Sequence, residues 1–360
     1  MRSFRSDNNA GLCPEALRAV NAAHAGGHQI GYGDDQYTIA AVESFRRIFG
    51  PETAVFFVAT GTAANTLAIA ALTDPWQQVI CHANSHYNFD ESTAPERITH
   101  CRVSVVRTDE SKLRPEDLVP AAIGARGDVH HPQPGVVSIS NATEFGTVYT
   151  PGDVRALAET ARAMGFRLHM DGARFANAVA SLGCEPRELV NEAGVDALSF
   201  GGTKNGLAFG EAVLFFPQND GRAYENAVRT FPFHRKGTGH LLSKHRFVSA
   251  PFAATLTDGA WLRHAGRANA MAQRLAIGLE RTGLTPAFSV EANAVFVRLP
   301  ARIDTHLRND GHGYYAFESP RPDGTVLVRL MASFDSTEAD VDRFLDAVAA
   351  ADARADSSVR

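Results

Sequence analysis

The chain has 360 residues, of which 44% are hydrophobic and 21% charged, and its formal net charge is -5. This composition predicts a folded globular protein and excludes intrinsic disorder. The length predicts two domains, or one large domain with a smaller companion. The small acidic excess argues against electrostatic binding of nucleic acid or of an anionic membrane.

The four cysteines are scattered and form no CxxC pair, so we expect neither a disulfide framework nor a zinc knuckle. Buried thiols in a reducing cytoplasm are the simplest interpretation. The first residues contain no apolar h-region, which argues against a secretory signal. The uncharged stretch Ala54–Leu72 approaches the length of a membrane span, but Thr60–Thr62 and Asn65 interrupt it and favour a strand, a turn and a helix.

Short apolar runs alternate with Ala-rich amphipathic segments from residue 14 to about residue 250. This pattern predicts an α/β domain in which helices cover both faces of a buried, mostly parallel sheet. The predicted strands are Ala54–Ala59, Gln78–Cys81, Cys101–Val106, Gly135–Ile139, Phe166–Met170, Ala197–Phe200 and Ala212–Phe216. The predicted helices between them, each with a polar or proline start signal, include Thr62–Leu72, Pro151–Met164 and Pro186–Glu192.

The pattern changes after about Thr255, which predicts a second, smaller α+β domain. Its predicted elements are a long helix, two strands and a closing helix opened by Ser336: Gly259–Arg281, Ala294–Leu299, Thr325–Leu330 and Thr337–Ala349. We therefore expect a large domain over residues 15–250 and a small domain made of residues 1–14 and 251–360.

Three strand ends have side chains suited to chemistry, since ligands of open α/β sheets bind outside the carboxyl ends of strands. Asp171 follows one strand, where a carboxylate serves as a helix N-cap or as a functional acid. Lys204 follows the next in a glycine-rich turn, a setting that suits an exposed lysine or a Schiff-base nucleophile. Thr60, Gly61 and Thr62 begin a helix whose free N–H groups can bind a phosphate, although Thr62 capping its own helix would look the same.

Together the three strand ends predict a site for pyridoxal 5′-phosphate. This cofactor needs an imine to a lysine, a carboxylate that keeps its pyridine nitrogen protonated, and a clamp on its phosphate. Lys204 follows Asp171 after one strand–helix–strand unit. His86 follows another predicted strand at the same sheet edge, where an imidazole either stacks on a cofactor ring or bonds within its own loop.

Longer motifs make the sequence similar to a known family. The strings HMDGARFANA (169–178) and DALSFGGTKNG (196–206) occur in this order, with YGDD (32–35), TGTAAN (60–65) and VRL (328–330). Through them the chain resembles the low-specificity L-threonine aldolases, and in particular a bacterial subgroup that also cleaves phenylserine-type substrates. The resemblance implies a fold type I (aspartate aminotransferase-like) pyridoxal phosphate enzyme, with a three-layer α/β/α large domain and a smaller α+β domain.

The resemblance also implies roles for the cofactor residues. Lys204 would form the imine, Asp171 would pair with the pyridine nitrogen, and His86 would stack on the ring. The residues that would hold the phosphate are Thr60, Gly61 and Thr62. No metal ligand is implied.

The same resemblance places further residues around the substrate. Those expected near its carboxylate or the phenolic side of the cofactor are Ser6, Arg174 and Arg329. Tyr32, whose segment crosses a subunit interface in the family, is a further expected substrate contact. His130, together with His86, would face the β-hydroxyl group, and Glu91 would lie near that hydroxyl or a catalytic water. Ordinary alternatives remain open: a strand arginine for Arg329, a polar loop residue for His130 and a surface carboxylate for Glu91.

One segment departs from the family pattern. Where the subgroup has RRKRAGHL this chain has HRKGTGHL (234–241), so Gly237 replaces an arginine. In the family this region reaches the cofactor phosphate from a neighbouring subunit, and here Arg235 and Lys236 could substitute. The resemblance also implies a homo-oligomer, either a dimer or a dimer of dimers (homotetramer).

We expect a cytoplasmic carbon–carbon lyase that cleaves L-threonine, L-allo-threonine or a bulkier β-hydroxy-α-amino acid to glycine and an aldehyde. Alternatives on the same fold are a β-eliminating lyase, a transaldolase and a racemase. A cofactor-free binding module is disfavoured because Lys204 and Asp171 occur together. A nicotinamide dehydrogenase would need G-x-G-x-x-G between a strand and a helix, and the nearest match, Gly311–Ala316, follows no apolar strand.

Overall fold

The computed structural model describes residues 3–122, 127–217 and 221–357. Its helices are α1 (Pro14–Ala25), α2 (Gln36–Phe49), α3 (Gly61–Leu72), α4 (His86–Phe89), α5 (Ala94–Thr99), α6 (Pro115–Ala121), α7 (Pro151–Ala163), α8 (Phe175–Leu182), α9 (Gly221–Gly237), α10 (Arg246–Thr257), α11 (Ala260–Arg281), α12 (Ala301–Asn309) and α13 (Glu338–Ser357). Its strands are β1 (Ala54–Val58), β2 (Gln77–His82), β3 (Arg102–Val106), β4 (Gln133–Ser140), β5 (Arg167–Gly172), β6 (Ala197–Gly201), β7 (Glu211–Phe215), β8 (Ala294–Pro300), β9 (Tyr315–Ala316) and β10 (Thr325–Met331).

A seven-stranded sheet with the order β1-β7-β6-β5-β4-β2-β3 forms the centre of the fold. Strands β3, β2, β4, β5 and β6 pair in parallel, and β7 runs antiparallel between β6 and β1. All seven strands were predicted from the sequence, with bounds that differ by two residues at most. The other six strands end at one edge of the sheet, where β7 begins; we call this the carboxyl edge.

The two faces of this sheet contact different helices, because successive strand residues point to opposite sides. Val137 and Leu214 belong to a core shared with α2, α7, α8 and α10. Val136 and Val213 belong to a core shared with α3 and α9. The predicted α/β/α arrangement is thus confirmed.

The uncharged stretch Ala54–Leu72 forms β1, a turn and α3, as predicted. The cap of the helix differs from the expectation, because the Thr60 hydroxyl, not that of Thr62, accepts the Ala63 N–H at 3.2 Å. Helix α3 is buried from Ala63 to its end, as an Ala-rich segment without charges requires. No helix in the described ranges is both long and apolar enough to cross a bilayer.

Two other helices differ from the prediction. The expected helix over Pro186–Glu192 is a single 3-10 turn over Pro186–Leu189, because Val190 leaves the helical region (φ -127°, ψ -87°) and is buried. The closing helix is capped by Thr337 and not by Ser336, since the Thr337 hydroxyl accepts the Asp340 N–H at 3.2 Å. It also extends further than expected, to residue 357.

A three-stranded antiparallel sheet, in the order β8-β10-β9, supports a second core. Phe4, Leu275, Val328 and Phe344 pack together there. Helix α11 joins the two cores, because Trp261 packs in the first and Leu275 in the second. The predicted strands and long helix of this region are confirmed, whereas the domain limits (15–250; 1–14 and 251–360) stay a prediction.

Gly201 ends β6 where a side chain has no room, since a Cβ there would lie 2.3 Å from the Ala173 carbonyl oxygen. We expect Gly201→Ala to lower the free energy of unfolding by about 1–3 kcal/mol, measured by urea denaturation, because backbone must shift. Gly152→Ala on α7 is the matched control. Its Cβ would lie 3.7 Å from the nearest atom, so its unfolding midpoint should stay level or rise slightly. Equal midpoints for the two variants would contradict the prediction.

Candidate active site

The carboxyl edge brings together the charged residues that the sequence singled out. Asp171 lies near the end of β5, Lys204 in the turn after β6, and His86 at the start of α4 after β2. Thr60 lies between β1 and α3 at the same edge. Residues far apart in the chain therefore converge at one edge of the sheet.

Asp171 is a buried carboxylate that stays ionised. One oxygen accepts a backbone N–H two residues further on at 2.9 Å, and the other accepts the Asn65 side-chain amide at 2.8 Å. Burial would raise the pKa of Asp171, but the charges of His86 and Lys204 outweigh it and hold the pKa below the ordinary value. Asp171 does not cap α8, which begins at Phe175, so its charge is available to a ligand.

A chain of hydrogen bonds joins Asp171 to His86 through Asn65 and Glu91. The Asn65 amide nitrogen donates to Asp171 at 2.8 Å and to Glu91 Oε1 at 2.9 Å, and this Glu91 oxygen lies 2.9 Å from His86 Nδ1. The hydrogen bond to Glu91 raises the pKa of His86, and burial raises the pKa of Glu91. The hydrogen bond therefore favours the protonated imidazole of His86. Glu91 is buried, so the surface-carboxylate alternative is wrong.

Glu144, which sequence reasoning missed, binds the backbone N–H group of His86 through its side-chain carboxylate. Glu144 Oε1 accepts the His86 N–H at 3.0 Å and the Ser140 hydroxyl at 2.6 Å, and Oε2 accepts the Ser111 hydroxyl at 3.1 Å. Burial raises the pKa of Glu144. These bonds fix the start of α4, while the His86 side chain stays 39% exposed and its Nε2 atom has no hydrogen-bond partner among the described residues.

Lys204 is a half-buried amine without a hydrogen bond or ion pair to the described residues. Burial lowers its pKa, and the charge of Arg174 lowers it further. The turn around it requires glycine, because a Cβ at Gly202 would lie 2.6 Å from the Gly210 carbonyl oxygen and Gly206 has φ +100°. A lowered pKa favours the neutral amine, which is the form that attacks a carbonyl carbon.

Arg174 and Asp7 form a buried ion pair beside Lys204. The Arg174 Nε and Nη2 atoms donate to the two Asp7 oxygens at 2.8 and 3.0 Å, and the Asn293 amide donates to Asp7 at 3.1 Å. The Ser6 hydroxyl caps the short turn that holds Asp7. One carboxylate therefore joins the N-terminal segment to Arg174 at the start of α8 and to Asn293 just before β8.

Arg329 on β10 offers a further cation near this pair. Its guanidinium carbon lies 5.7 Å from the centre of the Tyr315 ring, and its buried Nε has no hydrogen-bond partner among the described residues. Burial lowers the pKa of Arg329, and the charge of Arg174 lowers it further. A carboxylate is the group that would satisfy such a donor.

The start of α3 can bind an anion. The N–H groups of Gly61 and Thr62 find no acceptor within the described part of the chain, and a Cβ at Gly61 would meet nothing within 4 Å. The first N–H groups of a helix lack internal partners and lie at its positive dipole end. A phosphate fits this open position.

His130 does not join the site within one chain. It is exposed and precedes β4, so it lies at the amino end of that eight-residue strand, about 26 Å from the carboxyl edge. The expectation that His130 and His86 face one hydroxyl group therefore fails inside a single chain. A role of His130 in the site of another copy of the chain stays a prediction.

Arg235 and Lys236 contact residues of their own chain. Arg235 donates to the Phe57 carbonyl oxygen at 3.3 Å, and Lys236 Nζ lies 5.5 Å from the centre of the Tyr32 ring. Arg235 is thus bound to β1, the strand that leads into the N–H groups of Gly61 and Thr62 at the start of α3. An approach of this segment to a neighbour's phosphate stays a prediction. Gly237 ends α9 with open space at its Cβ position, so an arginine has room there.

A family model described as beta-eliminating lyase matches residues 3–302. The low-specificity L-threonine aldolase of a Pseudomonas species is 43% identical over 94% of this chain and 95% of its own length. The chain belongs to the low-specificity L-threonine aldolases of the β-eliminating lyase family. The protein of the same name from Pseudomonas aeruginosa is 43% identical over 93% of both chains.

Solved structures show the same relationship. The threonine aldolase of Leishmania major has a TM-score of 0.89 at 28% identity and covers 97% of this chain and 99% of its own. Serine palmitoyltransferase of Sphingomonas wittichii has a TM-score of 0.68 at 16% identity, covers 97% and 86%, and shares the fold alone. The predicted family, the fold type I class and the cofactor of this family, pyridoxal phosphate, are confirmed.

Replacing Asp7 tests the buried ion pair. Asp7→Asn leaves Arg174 buried without its carboxylate, so the free energy of unfolding at pH 7 should fall by about 3–5 kcal/mol in urea denaturation. Burial would raise the pKa of Asp7, but Arg174 lowers it below the ordinary 3.8. The stabilisation is therefore present above that pH and is lost as pH falls below it.

The matched control for this variant is Asp342→Asn. Asp342 accepts an equivalent two-pronged bond from Arg274, at 2.9 and 2.9 Å, but both side chains are exposed. Its loss should change the unfolding midpoint little. An equal loss of unfolding free energy in the two variants would contradict the conclusion that the Asp7–Arg174 ion pair stabilises the fold more than an exposed pair.

Replacing Glu91 tests the proton shared with His86. We expect Glu91→Gln to lower the pKa of His86, because the hydrogen bond to Glu91 raises it, so the imidazolium should titrate at lower pH in proton NMR. His86→Asn identifies the signal among the 14 histidines. Asp128→Asn removes a carboxylate 2.9 Å from His131 on a remote loop and should leave the His86 midpoint unchanged. A Glu91→Gln midpoint equal to wild type would refute the pairing.

Proposed function

We propose that this chain is a pyridoxal phosphate-dependent aldolase. It cleaves L-threonine, L-allo-threonine or a related β-hydroxy-α-amino acid such as phenylserine to glycine and an aldehyde. The observation that carries this proposal is the unpaired Lys204 beside the ionised, buried Asp171 at one sheet edge. The two Pseudomonas relatives named above, which match over nearly their whole length, support the aldolase reaction.

The donor set at the carboxyl edge fits the cofactor. Gly61 and Thr62 would bind its phosphate, Asp171 its ring nitrogen, His86 its ring face and Lys204 its carbonyl carbon. When bound, this group supplies a sink for the electron pair released by the broken Cα–Cβ bond.

The substrate carboxylate would bind Arg329 or Arg174. Arg329 is the main candidate because its buried Nε is unsatisfied, whereas Arg174 already uses two donors on Asp7. A fixed carboxylate determines the orientation of the Cα–Cβ bond, so these arginines select which bond breaks. Ser6, next to Asp7, would line the same subsite, and Tyr32 stays a predicted substrate contact.

The His86–Glu91 pair would move the proton of the β-hydroxyl group. Glu91 Oε1 holds the proton on His86 Nδ1, which leaves Nε2 as the acceptor for the substrate proton. Glu144 keeps the imidazole in place through the backbone of His86. Asp171 keeps a negative charge opposite the cofactor ring at neutral pH, because its pKa is lowered.

A homo-oligomer in the cytoplasm completes the proposal. Large apolar side chains are exposed on α1, on the segment before α2, on α2 itself and on α9: Leu17, Ile30, Ile39 and Phe233. Such a surface suits a second copy of the chain, in a dimer or a dimer of dimers. The four cysteines are free thiols, which suits a reducing compartment.

Replacing Lys204 tests the proposed function. Lys204→Ala should lose the visible absorbance of bound cofactor and the release of aldehyde from L-threonine and L-phenylserine, since no amine remains for the imine. Lys244→Ala, at an exposed position, is the matched control and should keep both. A Lys204→Ala protein that retains the absorbance and the turnover would overturn the assignment.

Replacing Asp171 separates its charge from its shape. Asp171→Asn keeps most of the side-chain volume but removes the negative charge, so kcat should fall by about 10²–10⁴-fold. Initial rates of aldehyde release measure the effect, and circular dichroism checks that the fold is intact. Near-normal turnover would show that the charge of Asp171 is not needed for the reaction and that its role is structural.

A further inference from the structure

Glu211 is a buried carboxylate that the proposed reaction leaves unused. It begins β7 at the carboxyl edge, paired with Gly201 of β6 on one side and with Val58 of β1 on the other. Cross-strand partners point to the same face of a sheet. The register from Asp171 through Ser199 to β7 places Asp171 and Glu211 on one face. The two carboxylates therefore flank the strand that leads into Lys204.

Glu211 binds the turn that holds Lys204. Its Oε2 atom accepts the Gly202 N–H at 2.6 Å, and the carboxylate also forms a hydrogen bond with the Thr203 side chain. Gly202 and Thr203 are the two residues directly before Lys204. The bond from Gly202 thus fixes the backbone next to the lysine.

The two flanking carboxylates differ in charge at neutral pH. Burial raises the pKa of Glu211 to about 7, against the opposing effects of its hydrogen bonds and of Lys204. The charged groups that face Glu211 are Lys204 from the turn and Asp171 from β5; the first favours its ionised form and the second disfavours it. Asp171 stays ionised near neutral pH because its pKa is lowered. Glu211 is therefore the carboxylate whose charge changes as the pH passes through about 7.

We propose that Glu211 is a positioning residue that anchors the Lys204 turn through Gly202 and sets the charge beside the Lys204 amine. This role rests on the proposed function, in which that amine binds the cofactor. Ionised Glu211 favours the protonated amine, and protonated Glu211 does not. The protonation of the Lys204 amine as a function of pH therefore depends on both Glu211 and Lys204, and not on the lysine alone.

The protein without cofactor gives a direct test, because the chain has four lysines, Lys112, Lys204, Lys236 and Lys244. Methylation of these amines with ¹³C-formaldehyde retains their charge, and NMR then follows each one against pH. Lys204→Ala identifies the Lys204 signal. In Glu211→Gln the Lys204 midpoint should fall by about one unit, a tenfold change in protonation, while the other three midpoints hold.

Two further variants separate charge from structure. Glu159→Gln removes an exposed negative charge on α7 and should shift no midpoint. Glu211→Asp keeps the charge on a shorter arm, so the Lys204 midpoint should stay near wild type even where the Gly202 bond weakens. A purely structural Glu211 would be rescued by glutamine, whose amide oxygen still accepts the Gly202 N–H. A wild-type Lys204 midpoint in folded Glu211→Gln would therefore overturn the proposal, and so would a lowered midpoint in Glu211→Asp.

The loaded protein supplies the second readout. The pH midpoint of the visible cofactor band should move down in Glu211→Gln, in the same direction as the amine, and an unmoved band would overturn the proposal. Persistence of that band in Lys204→Ala would instead overturn the proposed function. The NMR result would still decide the effect of Glu211 on the amine, so the two failures are distinguishable.

Discussion

The site depends on one constraint, which is that charge buried at the carboxyl edge must be compensated by hydrogen bonds or opposite charge. Three carboxylates meet it by accepting backbone N–H groups: Asp171 from its own loop, Glu144 from His86 and Glu211 from Gly202. Each bond fixes the backbone beyond a strand end. The same groups that make burial of charge tolerable therefore determine where the reactive side chains lie.

Much of the fold was predictable because parallel strands buried on both faces appear as continuous apolar runs. The bounds of β1 and β6 follow directly from such runs, and so does the convergence of Asp171 and Lys204. The predicted helix over Pro186–Glu192 failed because the buried position of Val190, which no local pattern reveals, decides the backbone there.

Parts of the site were not predictable for a different reason. Asn65 is a lone polar residue in an apolar helix, and Glu211 is a lone charge before an apolar strand, so both had a local signal but no visible partner. Asp7 meets Asn293 across 286 positions of sequence, a contact no pattern specifies. The family motif gave His130 a role beside His86, but only the direction of β4 shows that the two histidines lie at opposite ends of the sheet within one chain.

The N-terminal segment joins parts of the protein that are synthesised at different times. Phe4 accepts the Met331 N–H at 2.8 Å, and Cys13 donates to the Gly206 carbonyl oxygen at 2.7 Å. During translation the segment is made well before β10. A nascent chain with a complete seven-stranded sheet has Lys204 and Asp171 but lacks Arg329 and the strand that pairs with Phe4. The charged cluster of Asp7, Arg174 and Arg329 is therefore complete only once β10 has been made and has paired with the N-terminal segment.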